Sequence, residues 1–322
     1  MTDANRPRAL YYSILRYQPE SLTTLHEAFE VTELKTPDED TSALLAQTEV
    51  LFAPLGYMVD KAKIDACPKL RVVASNTTGH PHIDVAYCQE KGVDVACLKF
   101  AQDFLDTITP TAELSFGMII AVTRNMMRAH DAALSGVWDR RPFGAPAMLS
   151  RMKLGVVGLG RLGGKVAAMA ASTGMEVRYY DPFSTSDLYP RFENLIDLAA
   201  WCDVLTVHVP HEQETENLIS AEVMSAIPAG GYVVNTARGE LIDWHALQRL
   251  LASGHLAGAA LDVFEGEFEK GFQENYADHP FLAFARNHGN VLITPHVGGS
   301  TIDAWRETEL KTIDMARQAV DA

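Results

Sequence analysis

Three segments of this 322-residue chain run from short apolar stretches into a charged or titratable side chain. Residues 231–236 lead into Ala237-Arg238-Gly239, 257–263 into Phe264-Glu265-Gly266-Glu267, and 291–294 into Pro295-His296. Apolar runs of this length read as buried parallel strands, and open parallel sheets bind ligands beyond the carboxyl ends of their strands. The pattern therefore gathers a guanidinium, a carboxylate and an imidazole at one sheet edge. Guanidinium grips a carboxylate bidentately. Imidazole gives up a proton near neutral pH, and a carboxylate beside it orients the ring and favours its charged form. Such a set suits reduction of a 2-keto acid, where the carbonyl oxygen must gain a proton as hydride reaches carbon. Taken singly, Arg238 serves equally well as a surface or helix-capping cation, Glu267 as a solvated loop charge, and His296 as a satisfied hydrogen-bonding residue. The reading rests on all three sharing an edge.

A hydride needs a carrier, and the sequence offers a place for one. Gly158-Leu159-Gly160-Arg161-Leu162-Gly163 follows the apolar run 154–157 and opens a helical pattern over 162–172. A bare glycine motif is weak, but this context gives each glycine a task. Gly158 permits the tight turn, Gly160 lets a pyrophosphate approach the backbone, and Gly163 lets the helix pack against the strand. The helix start presents unpaired N–H groups and a positive dipole end to phosphates. A second apolar run, 176–180, ends at Asp181, 18 residues beyond Gly163, where a carboxylate meets the adenosine ribose hydroxyls. Its charge repels a 2′-phosphate, and Pro182-Phe183 supplies no cation to hold one. NAD is expected in preference to NADP, in a Rossmann domain.

The elements that must position these residues alternate in the manner of parallel α/β sheets. In the first third, strands are expected at 9–12, 50–53, 71–74 and 93–96, with helices over 21–29, 58–66 and 85–91. A proline-containing segment, 106–111, leads into one long helix from 112 to 133. After a turn-rich connection at 139–150, a second series places strands at 153–157, 176–180, 203–208, 231–236, 257–262 and 291–294. A closing helix runs from 301 to 319.

Composition narrows the classes. With 47% hydrophobic and 21% charged residues the chain can bury full cores, and its length suits two domains. A net charge of −15 argues against nucleic-acid partners and anionic membranes. Cys67, Cys88, Cys97 and Cys202 show no metal-ligand spacing and read as buried thiols in a reducing compartment. Residues 1–10 lack the apolar core of a signal peptide, and the apolar stretch 114–122 is half the length of a membrane span. A cytoplasmic location is expected, with no metal.

From about Ala101 to Ala319 the sequence resembles the D-isomer-specific 2-hydroxyacid dehydrogenases, a family that includes phosphoglycerate dehydrogenase and the glyoxylate/hydroxypyruvate reductases. Five stretches in family order carry the likeness: 156–163, 207–210, 234–239, 261–267 and 294–301. The resemblance implies an α/β fold of two Rossmann-like or flavodoxin-like domains with parallel sheets and a cleft between them. Residues 1–104 with 298–322 would form the substrate-binding domain and 105–297 the NAD-binding domain. It implies Arg238, Glu267 and His296 as substrate anchor, carboxylate partner and acid/base. Gly158, Gly160, Arg161, Leu162, Gly163, Asp181, His208, Val209, Pro210, Thr215, Thr236, Ala237, Asp262 and Gly298 would meet the cofactor. It implies a small 2-hydroxy or 2-keto acid substrate and a homodimer, which the apolar segment after Thr111 suits either as a core helix or as a two-fold interface.

The first domain departs from the pattern. The loop expected to offer backbone N–H groups to the substrate carboxylate reads Ser75-Asn76-Thr77-Thr78-Gly79-His80-Pro81-His82-Ile83-Asp84. Thr77, Thr78 and Gly79 are its substrate-binding residues, but Thr77 stands where a glycine is common, and Pro81 and His82 replace Asp-Asn. A loop short of a glycine takes a different shape, and His80 and His82 beside it are placed to contact an anion. A rival reading from another class is a corepressor-like protein of the same fold that senses NAD(H). The short chain, without an appended tail or basic segment, favours the enzyme.

Overall fold

The computed structural model describes residues 6–80, 82–269 and 271–322; Pro81 lies outside them. Contacts divide the chain into two compact units, one running to Ile108 and resuming at Ser300–Ala322, the other Thr109–Gly299.

In the first unit, β1 (Arg8–Tyr12), β2 (Glu30–Leu34), β3 (Val50–Phe52), β4 (Val72–Ser75) and β5 (Asp94–Cys97) form a parallel sheet in the order β2-β1-β3-β4-β5. The central strands are covered on both faces, which explains their unbroken apolar sequence. β2 was not among the expected strands. It is an edge strand, Glu-Val-Thr-Glu-Leu, largely open to solvent, so it lacks the apolar run that marks its neighbours. The expected 58–66 helix is only Lys61–Asp65, started by the Asp60 carboxylate accepting from Lys63 N–H. Val59 instead bridges to Ile83.

The closing helix, Ile302–Asp321, returns to this unit and buries Ile313, Ala316 and Val320 against Tyr11, Phe29 and Phe52. Its Glu309 carboxylate accepts the backbone N–H of Gln18 at 2.8 Å, the residue that starts helix Pro19–Ala28 and has no side-chain cap of its own. A residue nearly 300 positions away thus satisfies an orphan helix-end donor.

The second unit holds β6 (Lys153–Val157), β7 (Glu176–Tyr180), β8 (Val204–Val207), β9 (Gly231–Asn235), β10 (Leu256–Leu261) and β11 (Val291–Ile293). All pair in parallel, in the order β11-β10-β9-β8-β6-β7. The chain winds outward from β6 to β7, then crosses back to β8 on the other side. This places a topological switch point between β6 and β8, where a crevice opens at the carboxyl ends.

The long helix expected over 112–133 is two helices. Pro110–Thr123 buries Ala112, Met118, Ile119 and Val122 in the core of this unit. Asn125 then adopts the left-handed conformation (φ 51°), and Met126–Leu134 continues with no buried residue. Asn is among the few residues that tolerate this conformation, and its side-chain amide donates to the Phe143 carbonyl at 3.2 Å.

Replacing Glu309 with Ala should lower stability by about 1–3 kcal/mol, the cost of leaving a buried donor unpaired, read as a shift in the urea midpoint. Burial raises the Glu309 pKa against the lowering effect of the Gln18 hydrogen bond. The folded chain therefore binds that proton more tightly than the unfolded chain, and this group's contribution falls as pH rises through the raised value. An unchanged midpoint in the variant would show that the contact carries no stability.

Candidate active site

The turn after β6 is built by exclusion. Gly158 has φ 87°, and a Cβ there would stand 2.7 Å from Val209 Cγ1 and 2.9 Å from the His208 carbonyl oxygen. The glycine turn and the residues after β8 are therefore in backbone contact across the switch point. At Gly163 a Cβ would fall 2.0 Å from the Gly158 carbonyl oxygen, so only glycine lets the helix Arg161–Ser172 start this close to the turn. Gly160 is different: space for 4 Å around its Cβ position is open, its backbone is extended, and no side chain caps the helix it begins. Arg161 and Leu162 form the first turn, with Leu162 packed on the core.

Asp181, just past β7, is buried and anchors this turn. One carboxylate oxygen accepts Leu159 N–H at 2.9 Å; the other accepts Phe183 N–H at 2.8 Å and Ser184 N–H at 2.9 Å. Burial works to raise its pKa, but these three backbone donors outweigh it and hold the carboxyl below its ordinary value. Asp181 is thus ionised at neutral pH, and it also shapes the glycine turn, a second role beyond the ribose contact expected of it.

Beyond β8, burial pushes His208 down to about 4, so the ring is neutral, with Nε2 2.9 Å from the Thr206 hydroxyl. Thr215 closes the following loop: its hydroxyl donates to the Pro210 carbonyl at 2.8 Å and accepts Glu212 N–H at 2.8 Å. Beyond β9, the Thr236 hydroxyl lies 2.6 Å from that of Ser115. Ser115 already donates to the Thr111 carbonyl, so Thr236 is the donor between them.

Arg238 sits three residues past β9 on a turn organised by buried Asn235, which accepts Ala237 N–H at 2.9 Å and donates to the Arg238 carbonyl at 2.7 Å. The guanidinium donates to the Ala237 carbonyl and, among the described residues, makes no ion pair. Gly239 has no room for a Cβ, which would fall 2.0 Å from the Phe264 carbonyl carbon and 2.1 Å from Glu265 N. The Arg238 turn therefore rests directly on the backbone that leads to Glu267. Glu240 ties the two again by accepting Gly266 N–H at 3.1 Å.

Past β11, His296 has φ 51°, an uncommon conformation for a residue with a Cβ. It is held there by buried Asp262, at the end of β10. The Asp262 carboxylate accepts the Thr294 hydroxyl, Val297 N–H at 2.9 Å and Gly298 N–H at 2.7 Å, and its carbonyl accepts His296 N–H at 2.8 Å. A Cβ on Gly298 would stand 2.8 Å from that carboxylate. The turn so formed brings His296 Nδ1 to 2.9 Å from Glu267 Oε1, with the Glu267 side chain 10% exposed and His296 34%. The approach is not aligned as a hydrogen bond, so its effect is charge proximity. Phe268 adds a ring contact to the imidazole, centroids 5.4 Å apart. Sequence reading missed Phe268, Asn235, Ser115 and Glu240. Phe268's place beside Glu267 was the one available signal.

On the first unit, the 75–82 loop is ordered by side chains. Ser75 Oγ lies 2.9 Å from Thr77 Oγ1 and 3.2 Å from His82 Nε2, and the Thr77 hydroxyl donates to the Gly79 carbonyl at 2.6 Å. Thr78 is exposed. His82, expected beside an anion, is buried, and burial pushes it down to about 4, so it is a neutral structural ring. His80 stacks on exposed Phe100. No group of His, Cys, Asp or Glu among the described residues is arranged to hold a metal.

Two family models match: the NAD-binding domain of the D-isomer-specific 2-hydroxyacid dehydrogenases over residues 116–298, and the catalytic domain of the same family over 9–135. The chain belongs to that family. It is 31% identical over 311 residues to the glyoxylate reductase of Thermofilum pendens, covering 90% of this chain and 86% of that one. To the D-3-phosphoglycerate dehydrogenase of Haemophilus influenzae it is 33% identical over 243 residues, 75% of this chain and only 56% of the relative. The crystal structure of Aquifex aeolicus D-lactate dehydrogenase with NAD and lactic acid superposes with a TM-score of 0.85 at 25% identity, covering 97% and 95% of the two chains.

This dehydrogenase is NAD-dependent, and its glycine turn fits the cofactor. The space beside Gly160, the uncapped helix start and the ionised Asp181 suit, in turn, a pyrophosphate and a ribose diol without a 2′-phosphate. Asp181→Ser should raise KM for NADH about tenfold, the scale of one lost charge-assisted hydrogen bond, while KM for NADPH changes less. Steady-state kinetics with both cofactors would show it; equal effects on both would remove Asp181 from cofactor discrimination.

Proposed function

We propose that the protein interconverts a small 2-keto acid and its D-2-hydroxy acid, with His296 as acid/base, Glu267 as its carboxylate partner and Arg238 as substrate anchor. The observation that carries this reading is the Glu267–His296 pair, 2.9 Å apart, beside a guanidinium with no ion-pair partner among the described residues, on adjacent strand ends. Bound NADH supplies the hydride. Arg238 grips the substrate's carboxylate and carbonyl side, the planar fork suiting both oxygens. His296, with Nδ1 turned to Glu267, donates a proton from Nε2 to the carbonyl oxygen, and Arg238 and His296 together stabilise the charge that develops there. Thr77, Thr78 and Gly79 are assigned to the substrate carboxylate from their place in the chain. The named activity of the Thermofilum pendens relative supports small keto acids such as glyoxylate as first candidates.

NADH oxidation against glyoxylate, hydroxypyruvate, pyruvate, phenylpyruvate and 2-ketoglutarate tests the proposal, with His296→Asn as control. Turnover with one keto acid, lost in the variant by at least about a hundredfold, is the expected result for removal of a general acid. Tight NADH binding without turnover across the panel would favour an NAD(H)-sensing role instead.

A cytoplasmic location and a homodimer belong to the same proposal. Four buried, unpaired cysteines suit a reducing compartment. The helix after the Asn125 break and the loop beyond it expose Met126, Leu134 (75%), Trp138 (95%) and Met148, more apolar surface than water favours. This patch, rather than the buried Pro110–Thr123 helix, is the one to pair two copies. Light scattering should give twice the 35.3 kDa chain mass, and Leu134→Glu with Trp138→Glu should give the monomer. A wild-type monomer at micromolar concentration would sink the assignment.

A further inference from the structure

Charge proximity alone does not fix an imidazole. Glu267 lies 2.9 Å from His296 Nδ1, yet neither atom has an aligned hydrogen bond, so this contact leaves the ring free to turn about its Cβ–Cγ bond. The backbone does fix where the ring starts, through the Asp262-bound turn, but it does not set the ring plane. A second contact is needed, and Phe268 makes it: its ring lies 5.4 Å from the imidazole, tilted by 57°. That distance is within contact range for paired rings, and a tilted arrangement sets the imidazole's positive edge against the negative face or edge of its neighbour.

The local chain explains how two consecutive residues reach one ring. Gly266 has φ 69°, the left-handed conformation, and the turn is closed by Glu267 N–H to the Phe264 carbonyl at 3.3 Å and Glu269 N–H to the Gly266 carbonyl at 2.8 Å. Phe264 itself is locked among Trp244, Tyr276, His279 and Phe281. The turn is therefore rooted in the core while its tip reaches outward. Phe268 at that tip is 38% exposed, a large apolar ring left partly in water, with the imidazole its one aromatic neighbour. Core packing does not account for its position; contact with His296 does.

We infer that Phe268 is a positioning residue for the acid/base: its ring holds the His296 imidazole in the plane from which Nε2 delivers its proton. The inference rests on the proposed role of His296.

The test uses the full-length protein with NADH and the best keto acid of the panel, comparing Phe268→Leu and Phe268→Tyr. Leucine keeps the bulk and loses the ring; tyrosine keeps the ring. In Phe268→Leu, kcat should fall on the order of tenfold while KM for the keto acid changes less than about twofold, the pattern for a group misplaced in the transition state alone. Phe268→Tyr should restore kcat. The imidazole carbon-bound proton signals of His296, assigned by their loss in His296→Asn, should move in Phe268→Leu, as the ring current is removed, and stay near wild-type positions in Phe268→Tyr. Wild-type kcat in Phe268→Leu, or a loss that tyrosine does not restore, would overturn the inference. If His296→Asn retains turnover, the reading of His296 fails first, and the two failures are told apart.

Discussion

Much of the second unit hangs on one buried carboxylate. Asp262 ends β10 and takes up three donors from the chain beyond β11: the Thr294 hydroxyl and the N–H groups of Val297 and Gly298. A buried ionisable group without such partners would cost several kcal/mol; with them it ties two adjacent strand ends into one turn. That tie lets His296 keep a φ of 51°, a conformation worth holding only when its surroundings enforce it. Gly298 must be glycine for the same reason, since a Cβ would press on the carboxylate. The position of the imidazole is thus set by an aspartate that never needs to touch the substrate.

The neighbouring strand ends follow the same economy. Asn235 organises the turn that carries Arg238, and Gly239 lays that turn on the backbone of Phe264 and Glu265. Asp181 does the equivalent for the glycine turn through Leu159 N–H. In each case a buried polar side chain at a strand's carboxyl end satisfies the backbone donors of a tight loop. The loop's exposed residue is then free for chemistry. Such fully satisfied networks are rigid because every member would be costly to unpair.

The chemistry-bearing residues were legible in the sequence because a parallel sheet writes its strands as apolar runs, and the residue after each run lands on the ligand edge. Arg238, Glu267 and His296 all stand just past such runs. What escaped reading has physical reasons. β2 is an edge strand with charged residues facing water, so it carries no run. The break at Asn125 depends on one left-handed residue inside a pattern that otherwise reads as continuous helix. His82 looked like an available cation beside the substrate loop, but it is a buried neutral ring bonded near Ser75, and only tertiary burial decides between those roles. Phe268 could not be paired with His296 from sequence, because the contact spans two loops and no spacing rule relates them.

The two units share one architecture but stiffen their loops differently, and this bears on how the enzyme can vary. In the second unit the turns require glycine at Gly158, Gly163, Gly239 and Gly298, each against backbone or a buried carboxylate. Those positions leave no latitude, as hydride and proton transfer demand fixed geometry. In the first unit the 75–82 loop is held by a chain of hydroxyls and one neutral imidazole, Ser75, Thr77 and His82, with Gly79 contributing only its carbonyl. A loop shaped by side-chain hydrogen bonds changes form with single substitutions that leave the sheet untouched. Constraint is therefore concentrated where the reaction is common to the family, and latitude where one keto acid must be told from another.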